Sequence, residues 1–134
     1  MPPSPSRRRT RSPVEFRKFA EGAGRRGEWW AGLFLQLHGF RIVAQRVKTP
    51  VGEIDLIARR GRLTVFVEVK SRSFSHQEDE ALAAVNRRRI VRAAQLWLRR
   101  HPEAMAGEIR FDVIFLAPFA WPRHLKGAFD ATGV

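Results

Sequence analysis

Gly52-Glu53-Ile54-Asp55-Leu56-Ile57 and Val67-Glu68-Val69-Lys70 decide how this chain is read. Both are apolar runs that carry acids, and the second also carries a lysine. An ionised carboxylate buried without a partner is costly, so such groups are paired or hold a metal. The dipeptide Arg60-Gly61 marks a tight hairpin between two strands, Glu53–Arg59 and Leu63–Lys70. With Arg60 and Gly61 as a two-residue loop, Arg59 faces Arg62, Phe66 lies opposite Asp55, and Glu68 lies opposite Glu53. A longer loop that pairs Ala58 with Leu63 keeps that register, whereas a three-residue loop turns Asp55 to the other face. Side chains alternate along strands, so Glu53, Asp55, Phe66, Glu68 and Lys70 share one face.

In this register Asp55 and Glu68 are diagonal neighbours, about 7–8 Å apart at the backbone. Two carboxylates reaching toward each other can hold one cation. Without a cation they repel, by about 4 kcal/mol at roughly 4 Å and an effective dielectric of about 20. Oxygen ligands completed by water suit Mg²⁺ or Mn²⁺. Lys70 points the same way and can orient a water or offset charge on a phosphate. A solvated salt-bridge ladder of Glu53, Asp55, Glu68 and Lys70 fits the same spacing. Ile57 and Phe66 on that face, with Val65, Val67 and Val69 on the other, point to a partly covered cleft. Spacing alone leaves site and ladder level.

Working outward, Arg41–Lys48 reads as a strand entering the turn Thr49-Pro50-Val51-Gly52. Before it, a helix starts within Val14–Glu21, breaks near Gly22-Ala23-Gly24 and resumes from about Arg26 to Leu37. Trp30, Leu33, Phe34 and Leu37 recur at helical spacing as its buried face, and Gly39 is its stop. Glu28 falls in the first turn of the resumed helix, where the dipole favours a carboxylate. After the hairpin, Ser71–Asp79 is a polar loop. A long helix follows from about Glu80 to Arg100, with Leu82, Val85, Ile90, Ala93, Ala94 and Trp97 on its apolar side and Pro102 at its end. Ile109–Leu116 is a fourth strand, and Pro118–Val134 reads as irregular.

The chain has 134 residues, which suits a single domain over 14–134 preceded by a disordered basic tail over 1–13. Its net charge of +12 and pI of about 11.7 point to polyanionic partners, DNA first and RNA with it. An arginine-rich composition bias gives the same numbers. Arg88, Arg92, Gln95 and Arg99 form one stripe on the long helix, suited either to tracking phosphates or to plain solvation, and Arg72 lies just past Lys70. Cysteine is absent, which excludes disulfides and thiolate metal sites. No run is apolar enough to cross a membrane, and a cytoplasmic location is expected. The four histidines show no ligand spacing. Trp29 and Trp30 suit a helix core or a partner surface better than a base-stacking platform.

The stretches Gly52–Ala58 and Val65–Arg72, the segment Arg110-Phe111-Asp112-Val113 and the tail piece His124–Phe129 resemble the bacterial UPF0102, or YraN-like, family. That family resembles the PD-(D/E)XK nuclease superfamily, which includes archaeal Holliday-junction resolvases. The resemblance implies an α/β restriction-endonuclease-like core, ordered helix, three antiparallel strands, helix, strand, with a mixed central sheet. It implies Asp55 and Glu68 as metal ligands, Lys70 as catalytic lysine and Glu28 as an acidic ligand from the first helix; Glu53, without a counterpart in the family pattern, is a secondary candidate. By analogy it also implies a homodimer. Ile54 precedes Asp55 where the superfamily has proline, and Gln95 is followed by Arg99 where some relatives have tyrosine. The expectation is a Mg²⁺- or Mn²⁺-dependent nuclease acting on DNA, branched or otherwise structured. The alternatives are a non-catalytic nucleic-acid-binding protein on the same scaffold, and a protein–protein adaptor using Trp29, Trp30, Phe119 and Trp121.

Overall fold

The computed structural model describes residues 23–71 and 80–131. The expected tail over 1–13, the helix start within Val14–Glu21 and most of the polar loop, Arg72 included, lie outside the described residues. Helix α1 (Ala23–Leu37) leads into strands β1 (Arg41–Thr49), β2 (Gly52–Arg60) and β3 (Leu63–Ser71). Helix α2 (Glu80–Arg99) and the short α3 (Pro102–Met105) precede β4 (Glu108–Leu116) and β5 (Arg123–Phe129). The five strands form one sheet in chain order. Neighbours are antiparallel except β3 and β4, which run parallel. Helix, antiparallel meander, helix, strand and a mixed sheet are the order expected of a restriction-endonuclease-like core. Among the described residues, no helix is long and apolar enough to cross a membrane.

The sheet is covered on both faces. Leu56, Ala58, Val65, Val67 and Ile114 pack with Ala31 and Leu35 of α1. Ile57, Phe66 and Phe111 pack with Ile90, Val91, Ala94, Trp97 and Leu98 of α2. The α1 face differs from its expected one. Trp30, Leu33 and Leu37 are exposed, and Gly27, Ala31 and Leu35 are buried. Small residues carry this contact because the helix lies almost on the strands: a Cβ at Gly27 would sit 2.6 Å from Ser71 Oγ. The end of α1 is as expected. Gly39 N–H donates to Gln36 O and Phe40 N–H to Leu35 O, the paired bonds of a glycine-terminated helix. On α2 the apolar side begins later than expected, since Leu82 and Val85 are exposed and Ile90 is the first buried member.

The hairpin turns one residue later than its sequence reading. Gly61 and Arg62 form the loop, Arg60 pairs with Leu63, and Phe66 stands opposite Ile57 instead of Asp55. Gly61 has φ +62° and Arg62 does not share that sign, the pattern of the two-residue hairpin turn that takes glycine at its first loop position. Each pairing moves by an even step, so the facing of Ile57, Phe66 and the valines is unchanged. Gly52, which opens the acidic run, has a packing reason. A Cβ there would meet Arg89 O of α2 at 2.7 Å, so only glycine lets the strand pass beneath the helix without displacement.

The tail expected to be irregular contains β5. It pairs with β4 through Ile114↔His124 and Phe115↔Arg123, with an irregularity between Phe111 and Val113. Asp112, fully buried at that irregularity, anchors it. Its carboxylate accepts Arg110 Nε at 2.9 Å, Arg110 Nη2 at 2.9 Å and Gly127 N–H at 3.0 Å. His124 Nε2 lies 2.7 Å from Oδ2. Burial pushes the Asp112 pKa up, but the hydrogen bonds of His124, Arg110 and Gly127 outweigh it and hold it at about 2, below the ordinary 3.8. With the folded value depressed, this stabilisation is complete above 3.8 and is lost as pH falls through about 2. Asp112→Asn should therefore cost at least about 2 kcal/mol at neutral pH and expose the β5 amides to hydrogen exchange. Chemical denaturation at neutral pH checks this, and an unchanged midpoint would refute the anchor.

Candidate metal and nucleic-acid site

Strand β1 carries the residue that organises the acids. Pairing runs from Gln45↔Leu56 to Val47↔Ile54, with Arg46 and Asp55 between them and unmatched in the ladder. Arg46 has φ +50°, which costs a side-chain-bearing residue about 1–2 kcal/mol. On β2 the regular alternation breaks at the same place. Ile54 joins Ile57 in the cluster under α2, whereas Leu56 faces α1.

The Arg46 guanidinium binds Glu28 of α1, with Nη1 at 3.0 Å from Oε1 and 3.1 Å from Oε2. Its Nη2 lies 4.0 Å from Glu53 Oε2. Glu28 is buried and lies past the first turn of α1, which begins at Ala23. Its partner is therefore Arg46 and not the helix dipole. Burial raises the Glu28 pKa, against the lowering effect of the Arg46 hydrogen bond and charge.

Asp55 joins this group to the next strand. Main-chain pairing of β2 with β3 runs as far as Leu56↔Val67. Beyond it Asp55 Oδ2 accepts the Val69 N–H at 2.8 Å. Burial, reinforced by the charges of Glu28 and Glu53, raises the Asp55 pKa to about 6 from 3.8, although the Val69 bond opposes the rise. Val69 stands between Glu68 and Lys70 in sequence, and those two form their own pair, Lys70 Nζ to Glu68 Oε2 at 3.5 Å. Both are largely buried and line a hollow with Asn86 and Arg87 of α2.

The expected site residues thus fall into two groups. Glu28, Glu53 and Asp55 surround Arg46, while Glu68 and Lys70 face α2, and the Asp55–Val69 bond links the groups. Among the described residues, no three acidic or histidine side chains make a ready-formed metal cage. The donor chemistry still suits a hard divalent cation, because Asp55 is a buried acid crowded by two others. Glu28 fits less well as a ligand, since Arg46 binds both of its oxygens. The stripe of Arg88, Arg92, Gln95 and Arg99 is exposed along α2. Sequence reading missed Arg46, Asn86 and Arg87. No sequence signal singled out Arg46, since the same strand also carries Arg41 and Lys48.

The raised Asp55 pKa has a consequence for stability. A folded value above the unfolded one gives a contribution that is complete below 3.8 and lost as pH rises through about 6. Asp55→Asn, which cannot ionise, should gain about 1–3 kcal/mol over the parent at neutral pH in EDTA. Thermal melts should show a gap that closes as the buffer is acidified below about pH 4. Coincident melts at neutral pH would show that the carboxylate is not under this load.

Residues 27–116 match the family described as Uncharacterised protein family UPF0102. A UPF0102 protein of Chelativorans sp. (strain BNC1) is 46% identical over 115 residues, covering 86% of this chain and 93% of that protein. Another, from Rhodopseudomonas palustris, is 54% identical over 101 residues, covering 74% of this chain and 76% of its own. Among solved structures, the chain is similar to Archaeoglobus fulgidus Hjc, a Holliday junction resolvase from an archaeal hyperthermophile. That match has 21% identity and a TM-score of 0.47, and covers 75% of this chain and 74% of the other. With most of its length matched at this identity, the chain belongs to the UPF0102 family.

Proposed function

We propose that this protein is a divalent-metal-dependent nuclease that hydrolyses phosphodiester bonds in DNA. One observation carries the reading: the acid Asp55, raised to a pKa of about 6, is tied to Val69, the residue that separates Glu68 from Lys70. The arrangement brings two strands' carboxylates and an ammonium to the place where those strands stop pairing. The net charge of +12 supports a polyanionic substrate.

In this reading Asp55 and Glu68 hold Mg²⁺ or Mn²⁺. The cation, when bound, activates water and offsets charge on the phosphate. The Val69 N–H fixes the orientation of Asp55. Proton loss from Asp55 accompanies cation binding, so affinity rises with pH through about 6. Lys70, already beside Glu68, places a positive charge where a phosphate oxygen gains charge. Arg46 holds both Glu28 oxygens and opposes the rise that burial gives its pKa, which makes Glu28 and Glu53 supporting acids in this conformation. Arg88, Arg92 and Arg99 contact phosphates along α2, and Arg72, next after Lys70 and Ser71 in the chain, is the further candidate for a phosphate near the metal. Branched or otherwise structured DNA, a homodimer and a cytoplasmic setting are the finer form of the same proposal.

A second reading, a nucleic-acid-binding protein that does not cut, is favoured by Arg46. That cation already neutralises part of the acidic cluster. The two readings divide on one assay. Purified protein with linear, single-stranded and four-way-junction DNA should cut with Mg²⁺ or Mn²⁺ and not with EDTA. Asp55→Asn and Glu68→Gln should each lower the rate by at least about 100-fold while binding persists. Equal cutting by Asp55→Asn sinks the nuclease assignment, and binding without cutting by the parent protein selects the second reading. Replacing Arg88, Arg92 and Arg99 together with alanine should reduce the dependence of log affinity on log salt by about 2–3 units. An unchanged slope would return that stripe to ordinary solvation.

A further inference from the structure

Beside Glu68 and Lys70 lies a hollow of about 200 Å³ between α2 and the β3, β4 and β5 strands. Its two ends differ in chemistry. Lys70 lies beside Phe115 and Glu68 beside Val113, whereas Phe129 lies opposite Phe111, further along the sheet; Asn86 and Arg87 of α2 add polar groups to the lining. Phe129 is held in place by stacking on Phe111, with ring centroids 5.2 Å apart. A wholly apolar occupant would strand the charged end without hydration, and a bare phosphate would leave the aromatic end unused. A nucleotide satisfies both, with its phosphate at Lys70 and Arg87, its base against the Phe129 ring and the Asn86 amide facing a base edge.

We infer that this hollow binds a single unpaired nucleobase next to a phosphate held at Lys70 and Arg87. The inference rests on the proposed function only in taking that end as the phosphate end. It deepens that function by naming the substrate class, a strand with at least one base out of the stack. Base pairing hides the edge and face of a base, so extrusion costs least where the base is already unpaired. Stacking against an aromatic wall is insensitive to which base is present, so the site discriminates pairing state more than sequence. Because β5 supplies Phe129 and Leu125 to the walls, the last strand has a part in substrate choice.

The test uses the full chain in EDTA, so that no cutting intervenes. Three oligonucleotide duplexes are compared: one with a single bulged 2-aminopurine, one with an abasic site at that position, and one fully paired. The bulged base should bind about 10-fold or more tighter than the abasic site, and 2-aminopurine emission should fall as it stacks. Ala83→Trp, on the α2 wall, should bring that ratio close to one while keeping salt-dependent binding. Leu125→Trp, on the β5 wall, serves if the first variant melts early. A ratio near one in the parent protein overturns the inference, as does a ratio unmoved in both variants when they melt like the parent. Discrimination without Mg²⁺- or Mn²⁺-dependent cutting upholds the hollow and sinks the nuclease reading. Cutting with no discrimination does the reverse.

Discussion

A carboxylate takes the place of a main-chain acceptor between β2 and β3. The ladder of those strands runs to Leu56↔Val67, and the next link is Asp55 to the Val69 amide. Everything at the candidate site follows from that substitution. A backbone carbonyl in the same role would carry no net charge to attract a cation. An aspartate there brings charge into the end of the sheet, and its proton affinity rises because burial and two neighbouring acids oppose ionisation.

The two buried aspartates show how environment assigns roles to one side chain. Asp112 is surrounded by donors, so burial is outweighed and its pKa falls to about 2. Asp55 has one amide donor and two acidic neighbours, so its pKa climbs to about 6. The first is a structural tie that favours the folded state across physiological pH. The second costs stability over the same range, the trade expected where a site is kept for chemistry.

The strand order and the acidic run were legible because period-two apolar patterning and turn residues are strong local signals. The buried face of α1 was not, because Gly27 and Ala31 carry it and size-based periodicity picks out the exposed Trp30 and Leu37 instead. Strand β5 was missed because His124-Leu125-Lys126-Gly127-Ala128-Phe129 lacks clean alternation. It is held by hydrogen bonds to Asp112 as well as by its apolar side. The hairpin register was read one residue early because either Arg60-Gly61 or Gly61-Arg62 can be named as the loop. Glycine's freedom at positive φ decides between them. Arg46 was invisible as an organiser because a basic residue in a strand looks the same whether it meets solvent or a carboxylate on the neighbouring helix.

The parallel pairing of β3 with β4 divides the molecule by order of assembly. β1, β2 and β3 form a meander closed by tight turns, so their contacts are local and early. β4 reaches β3 only after the chain has crossed over through α2, and that longer closure is entropically slower. Asp55, Glu68 and Lys70 all belong to the early part. The walls supplied by α2, β4 and β5 belong to the late part. A chain caught midway in folding would already own its charged groups while lacking the enclosure that decides what reaches them.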